Sequence, residues 1–184
     1  MVVGVLALQG CIEPHLVMFR SLGCQPIAVR LSEDLARCDR IVLPGGESTT
    51  MIKLLDRAEL WEPLRDFGRS HPVWGICAGA ILIASEVCSP AQKSLELISV
   101  RATRNYYGSQ LDSFKAEIEI AGFDHKMHAD FIRAPLLQPL EESVQVLADY
   151  NNQPVLMRQG RVLVSAFHTE LGSDARLHEY FLGI

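Results

Sequence analysis

The chain has 184 residues, 48% of them hydrophobic, enough to bury a substantial core in a single domain spanning 1–184. Its formal net charge of -5, with Lys and Arg scattered singly, argues against a nucleic acid or an anionic membrane surface as partner. Five cysteines, at positions 11, 24, 38, 77 and 88, are odd in number and include no Cys-x-x-Cys pair, so neither a disulfide framework nor a cysteine zinc site is expected, and reduced thiols point to the cytoplasm.

The apolar run Val2 to Leu8 has no basic segment before it and is far shorter than the roughly 20 residues of a membrane helix, so it reads as a strand rather than a leader or anchor. Amphipathic and apolar stretches then alternate: Pro14 to Leu22 as a helix, Gln25 to Arg30 as a strand followed by a short turn, Arg40 to Leu43 as a strand, Thr50 to Arg57 as a helix. Pro72 to Ile76 is a fourth strand, with a helix from Ala78 to Glu86 directly behind it. Such alternation predicts an α/β fold around a mostly parallel sheet, with its chemistry at the C-terminal ends of the strands.

From Leu97 onward the pattern becomes strand-like, over Leu97 to Arg101, Phe114 to Ile120, Met127 to Arg133, Val144 to Tyr150, Val155 to Gln159 and Val162 to Phe167. Asn151-Asn152 and Gln159-Gly160 are turn candidates, and Asp174 to Leu182 is predicted to close the fold as a helix.

Gly75-Ile76-Cys77-Ala78-Gly79 has the form of a nucleophile elbow with cysteine in the serine position, at a predicted strand-to-helix junction. The helix behind it would point its N-terminal dipole at the sulfur and favour the reactive thiolate. The other cysteines have no comparable surroundings and read as buried packing residues. A cysteine nucleophile needs a histidine to exchange protons with, and that histidine needs an orienting group. His168 and Glu170 fit, because two-residue spacing after an apolar strand places both side chains on one side of an extended chain.

His125 and His128 do not read as a metal pair, since three-residue spacing in a strand sends them to opposite faces. His15, His71 and His178 read as surface or packing residues. Leu43 to Thr50 carries Gly45-Gly46, where backbone N–H groups can approach a bound group; one of them, with that of Ala78, would form an oxyanion hole. The Gly-Lys-Ser/Thr ending of a phosphate loop is absent, and Ser48 or Thr49 is expected to cap the following helix.

With these segments in hand, the sequence resembles the class I glutamine amidotransferases, and more closely their glutaminase subunits of pyridoxal 5'-phosphate synthase. The resemblance rests on Gly4 to Gly10, Leu43 to Thr50, Cys77-Ala78-Gly79, Arg104-Asn105 with Tyr107-Gly108, Ser113-Phe114, Phe131 to Pro135, and His168 with Glu170, in that order. It implies a three-layer, flavodoxin-like class I glutamine amidotransferase fold with a central mostly parallel sheet. It further implies a Cys77, His168, Glu170 triad, an oxyanion hole at Gly46 and Ala78, and L-glutamine held by Gly45, Gly46, Glu47, Arg104, Ile132 and Arg133. No cofactor or metal is implied. The expected reaction is hydrolysis of L-glutamine to glutamate and ammonia through a glutamyl thioester, with ammonia passed to the synthase subunit of pyridoxal 5'-phosphate synthase in a hetero-oligomer.

Such subunits are expected to be weak alone and activated by docking, with Gln9 and Gly10 as the segment that rearranges. Ile76, Ala80, Tyr106, Ser109 and Thr169 depart from the usual pattern; Thr169 stands where proline is common and lacks its fixed φ. Competing readings are a glutaminase for another synthase, such as that of histidine biosynthesis, a redox or stress protein on the same scaffold, and a cysteine peptidase.

Overall fold

The structure is a computed structural model that describes residues 1–104, 106 and 113–184. Asn105, Tyr107, Gly108 and Ser109, named above, lie outside the described residues.

The first half builds β1 (Val2–Leu6), α1 (Glu13–Ser21), β2 (Gln25–Val29), α2 (Ser32–Leu35), β3 (Arg40–Leu43), α3 (Ser48–Arg57), α4 (Trp61–Ser70), β4 (Val73–Ile76) and α5 (Ala78–Ile83). The second adds β5 (Ala84–Cys88), β6 (Ile98–Thr103), β7 (Phe114–Ile118), β8 (Met127–Phe131), β9 (Leu136–Pro139), β10 (Gln145–Tyr150), β11 (Gln153–Gln159), β12 (Val162–Ser165) and α6 (Arg176–Leu182). Seven strands form the central sheet in the order β10-β11-β12-β4-β3-β1-β2. From β12 to β2 every pairing is parallel, while β10 and β11 extend the sheet as antiparallel hairpins. Parallel strands covered on both faces read as continuous apolar runs, which is why Arg40–Leu43, Val73–Ile76 and Val162–Ser165 are buried at every residue.

Strand alternation at β4 assigns the two covering layers. Trp74 packs edge-on against His15 of α1 and His178 of α6, with Phe181 beside them. Its neighbour Gly75 faces α5, where an added Cβ would meet the Gly79 carbonyl and Ile83 at 2.7 Å. Helices α1 and α6 therefore cover one face and α5 the other. A three-stranded sheet, β5-β6-β9, and the antiparallel pair β7-β8 complete the fold.

Two expectations are corrected. The helix after Cys77 ends at Ile83 instead of Glu86, and Ala84–Cys88 is a strand paired with β6. The Leu82 and Ile83 carbonyls accept from Leu95 N–H (2.7 Å) and Leu97 N–H (2.9 Å), which ends the helix and starts the ladder. The short turn after β2 contains one helical turn, α2, and β9 and α4 are elements that the apolar pattern left unassigned. Asn151 and Asn152 do form a turn, both at positive φ (51° and 60°), the arrangement a two-residue hairpin requires.

Among the described residues no helix is long and apolar enough to cross a membrane. A very close crossing is that of α5 over β3, where an added Cβ on Gly79 would lie 1.9 Å from the Leu43 carbonyl oxygen. Gly79→Ala is expected to cost about 2–3 kcal/mol, read as a lower urea midpoint, because backbone on both sides of the contact must move.

Candidate active site

Cys77 sits between β4 and α5 with φ 49° and ψ -103°, a conformation that non-glycine residues adopt at a cost. Its amide donates to the Ser165 carbonyl at the end of β12 (2.8 Å), which pins the turn to the sheet. The Cys77 thiol approaches the Ile132 carbonyl at 3.7 Å. Ala78 opens α5, so its N–H belongs to the first turn, where no helical acceptor exists.

His168 lies three residues beyond β12, held by an isolated antiparallel bridge to Asp130 of β8 through bonds of 2.8 and 3.0 Å. Its Nδ1 is 2.7 Å from Glu170 Oε1, with the Glu170 side chain fully buried. Burial is the largest influence on His168 and opposes its charge. Hydrogen bonds to Cys77 and Glu170, with their charges, outweigh it and push the imidazole up to about 10. Burial likewise raises Glu170, but the bond to His168 and the nearby histidines prevail and hold its carboxyl at about 2. Carboxylate and imidazolium thus form a buried pair at neutral pH.

The departure at Thr169 acquires a reason. Its backbone N–H donates to Glu170 Oε2 at 3.0 Å, a bond that proline in this position cannot supply. Ile76 and Ala80, the departures flanking the elbow, are fully buried and pack in the core, whereas Tyr106 is half exposed.

These groups open on a cavity of about 310 Å³, at the lower end of the range for small-molecule sites. Cys77, Ala78, His168, Gly45, Gly46, Glu47, Arg104, Ile132 and Arg133 all line it. Of the expected triad, oxyanion-hole and glutamine-binding residues, Glu170 alone does not reach the cavity; it stands behind His168. The imidazole rests directly on Gly45, where an added Cβ would lie 2.1 Å from its Cε1.

Glu47 has a role that sequence misassigned. The cap of α3 is Glu47 and not Ser48 or Thr49, because its extended backbone lets its carboxylate reach Thr49 N–H (3.2 Å) and Thr50 N–H (2.7 Å). Arg104 Nη2 pairs with the same carboxylate at 3.4 Å. Partial burial raises Glu47, but the bonds from Thr49 and Thr50 prevail and bring it down to about 2.

Gln9, Gly10 and Cys11 also line the cavity. Gln9 Oε1 accepts from Glu47 N–H (2.8 Å), and Cys11 N–H donates to the Gly45 carbonyl (2.9 Å), so this segment is bonded to the glycine loop. Cys11, read from sequence as a packing residue, instead borders the site; burial and then the Glu170 carboxylate push its thiol up to about 11. His15 and His178, also read as unpartnered, are buried and lie behind Glu170. No local sequence signal marks these three, since α1, α6 and the 168–170 segment are far apart in the chain and meet only once it is folded. His71 does pack, stacking on Phe67 at 4.1 Å, and His128 sits beside Glu117 at 3.1 Å on the β7-β8 pair.

A family model described as the SNO glutamine amidotransferase family matches residues 5–183. The PdxT protein of Thermosipho africanus, named for its place in pyridoxal 5'-phosphate synthase, is 46% identical over 185 residues, covering 100% of this chain and 98% of that protein. The PdxT protein of Deinococcus radiodurans is 46% identical over 190 residues, covering 100% and 97%. A solved structure described as a glutamine amidotransferase superimposes with a TM-score of 0.92 at 42% identity, covering 100% of this chain and 98% of the other. A structure from Thermoplasma acidophilum, described as belonging to a GMP synthase, has a TM-score of 0.72 at 16% identity, covering 100% and 92%, a likeness of fold alone. The three-layer α/β architecture is accordingly that of class I glutamine amidotransferases.

The capping role of Glu47 has a pH signature. Its carboxyl is depressed from 4.5 to about 2 in the folded chain, so the stabilisation is complete above 4.5 and lost as pH falls towards 2. Glu47→Gln is expected to weaken the fold at neutral pH and to flatten the loss of stability across that acid window, measured by chemical unfolding at each pH.

Proposed function

The chain belongs to the SNO glutamine amidotransferase family, and from that membership we propose that Cys77, His168 and Glu170 hydrolyse L-glutamine to L-glutamate and ammonia. The observation that carries the assignment of residues is the 2.7 Å contact between His168 and Glu170 beside a cysteine held at positive φ on a strand-to-helix turn.

In this mechanism the Cys77 sulfur attacks the side-chain amide carbon of glutamine. The carbonyl oxygen takes up negative charge and is received by the N–H groups of Gly46 and Ala78. His168, protonated up to about 10, gives its proton to the departing nitrogen as the C–N bond breaks, releasing ammonia and leaving a glutamyl thioester. Neutral His168 then removes a proton from water, whose oxygen attacks the thioester carbon. The C–S bond breaks, glutamate leaves, and the thiolate and imidazolium are restored. Glu170 remains ionised throughout and fixes the ring.

Arg104 and Arg133 bring positive charge to the cavity and suit the α-carboxylate of the substrate. Gly45, Gly46 and Ile132 form the wall on which its side chain lies. Arg104 already pairs with Glu47, so substrate binding exchanges or extends that pair instead of filling an empty cation site.

The acceptor of the ammonia is assigned from the relatives. Those at 46% identity are named as subunits of pyridoxal 5'-phosphate synthase, while the GMP synthase likeness is one of fold. We therefore assign the synthase subunit of that enzyme to this chain's partner, a one-domain glutaminase role to the chain itself, and a cytoplasmic setting consistent with its free cysteines. Docking would act through Gln9 and Gly10, whose segment is bonded to the glycine loop that carries Gly46 by the Gln9 side chain and the Cys11 amide.

Glutamate release by the purified chain, with and without the pyridoxal 5'-phosphate synthase partner, tests this reading. Release stimulated by that partner and reduced by on the order of 1,000-fold or more in Cys77→Ala is the expected outcome. Stimulation by a different synthase only would reassign the pathway. Because His168 must hold a proton to expel ammonia, kcat/KM is expected to be level through neutral pH and to decline as pH rises towards about 10.

A further inference from the structure

Behind the triad lies a pair of histidines that the mechanism above does not use. His15 of α1 and His178 of α6 are both completely buried, with His15 Nδ1 and His178 Nε2 2.9 Å apart. Trp74, Phe19 and Phe181 surround the pair, and the Trp74 indole N–H is committed to Ser165 Oγ at 3.2 Å. His15 Nε2 faces Glu170 Oε2 at 3.7 Å, and among the described residues this nitrogen and His178 Nδ1, both buried, have no hydrogen-bond partner.

Burial pushes His15 down to about 4 and His178 to about 3, so each ring is neutral at pH 7 and carries one proton. Two arrangements of those protons keep the 2.9 Å bond. In one, His15 donates from Nδ1, which leaves a nitrogen lone pair aimed at the Glu170 anion and strands an N–H of His178 in apolar surroundings. In the other, His178 Nε2–H donates to His15 Nδ1, and His15 Nε2–H points at the carboxylate. The anion selects the second, because a donor facing negative charge is favourable and a lone pair there is not.

We propose that His15 is a positioning residue for the triad: with its tautomer fixed by His178, it presents an N–H dipole to Glu170 Oε2 and so keeps Oε1 aimed at His168. This inference rests on the triad assignment made above. The other groups facing the carboxylate are His168, the Thr169 N–H and the Cys11 thiol; His178 in turn feels Asp174, which is paired with Arg176. Thr169 and His15 both address Oε2, leaving Oε1 to the imidazole. Removing the His15 donor makes the ionised form of Glu170 less favourable, so the carboxylate takes up a proton at a higher pH and the imidazolium loses its support there.

The test compares His15→Leu, His15→Asn and His15→Gln in the full chain bound to its synthase partner, with thermal unfolding to establish that each is folded. A glutamine amide reaches the place of imidazole Nε2, whereas an asparagine amide reaches only that of Nδ1. Expected for Leu and Asn are a kcat about 10- to 100-fold lower with KM little changed, as for a misplaced catalytic group, and an acid limb moved up by about one pH unit. Gln should restore both. Wild-type kinetics in folded His15→Leu, or losses in Asn and Gln that are equal, would overturn the inference; if Leu does not fold, the Asn and Gln comparison decides. The pH dependence of Cys77 alkylation by iodoacetamide needs no glutamine and is read in the same variants. An inactive wild type would therefore sink the glutaminase reading separately, while an unmoved alkylation limb in the variants would sink the role of His15.

Discussion

The positive φ of Cys77 is the constraint around which the rest of the site is arranged. A non-glycine residue in that conformation costs of order 1–3 kcal/mol and persists only where its surroundings leave no alternative. Here those surroundings are specific. The Cys77 amide is bonded to β12, Gly75 lets α5 close onto β4, and Gly79 lets the same helix lie against the Leu43 carbonyl. The chain reverses from strand to helix within one residue, which brings the sulfur to the cavity edge while the first-turn N–H groups of α5 remain beside it.

Around that sulfur the electrostatics are built inward from Glu170. A fully buried carboxylate is expensive to maintain, and buried ion pairs seldom repay their desolvation as stabilising devices. Their retention is better understood through the chemistry that they enable. The Glu170 charge is shared among the His168 ring, the Thr169 N–H, the Cys11 thiol and the His15 ring before any substrate arrives. In the reaction proposed above, proton transfer at His168 occurs against a fixed negative charge and not a reorganising solvent.

Much of this was legible in the sequence, for physical reasons that differ by element. The parallel strands declared themselves because burial on both faces leaves mostly apolar residues, as at Arg40–Leu43 and Val73–Ile76. Cys77, His168 and Glu170 were legible because the elbow and the His-x-Glu spacing are local features. Helix α5 was overextended because Ala84 to Glu86 suits either state, and only the Leu95 and Leu97 amides, distant in sequence, decide it. Glu47 was placed among the substrate contacts without its capping role, since capping depends on which residue is extended and not on side-chain type alone. His15, His178 and Cys11 escaped because their meaning lies in a meeting of three segments far apart in the chain.

The bridge between Asp130 and His168 ties two properties that are often separable. One strand, β8, holds the histidine through paired main-chain bonds, and the same chain runs on into Ile132, whose carbonyl faces the Cys77 thiol, and Arg133. In the reaction proposed above, the proton donor and one wall of the cavity are therefore held by one continuous stretch of chain. A shift that reshapes the wall moves the imidazole with it, so grip and turnover on this side are inherited together. Divergence towards a different amide has its freer route at Arg104, which follows β6 and whose backbone bonds to Cys88 instead of to the strand that holds the histidine.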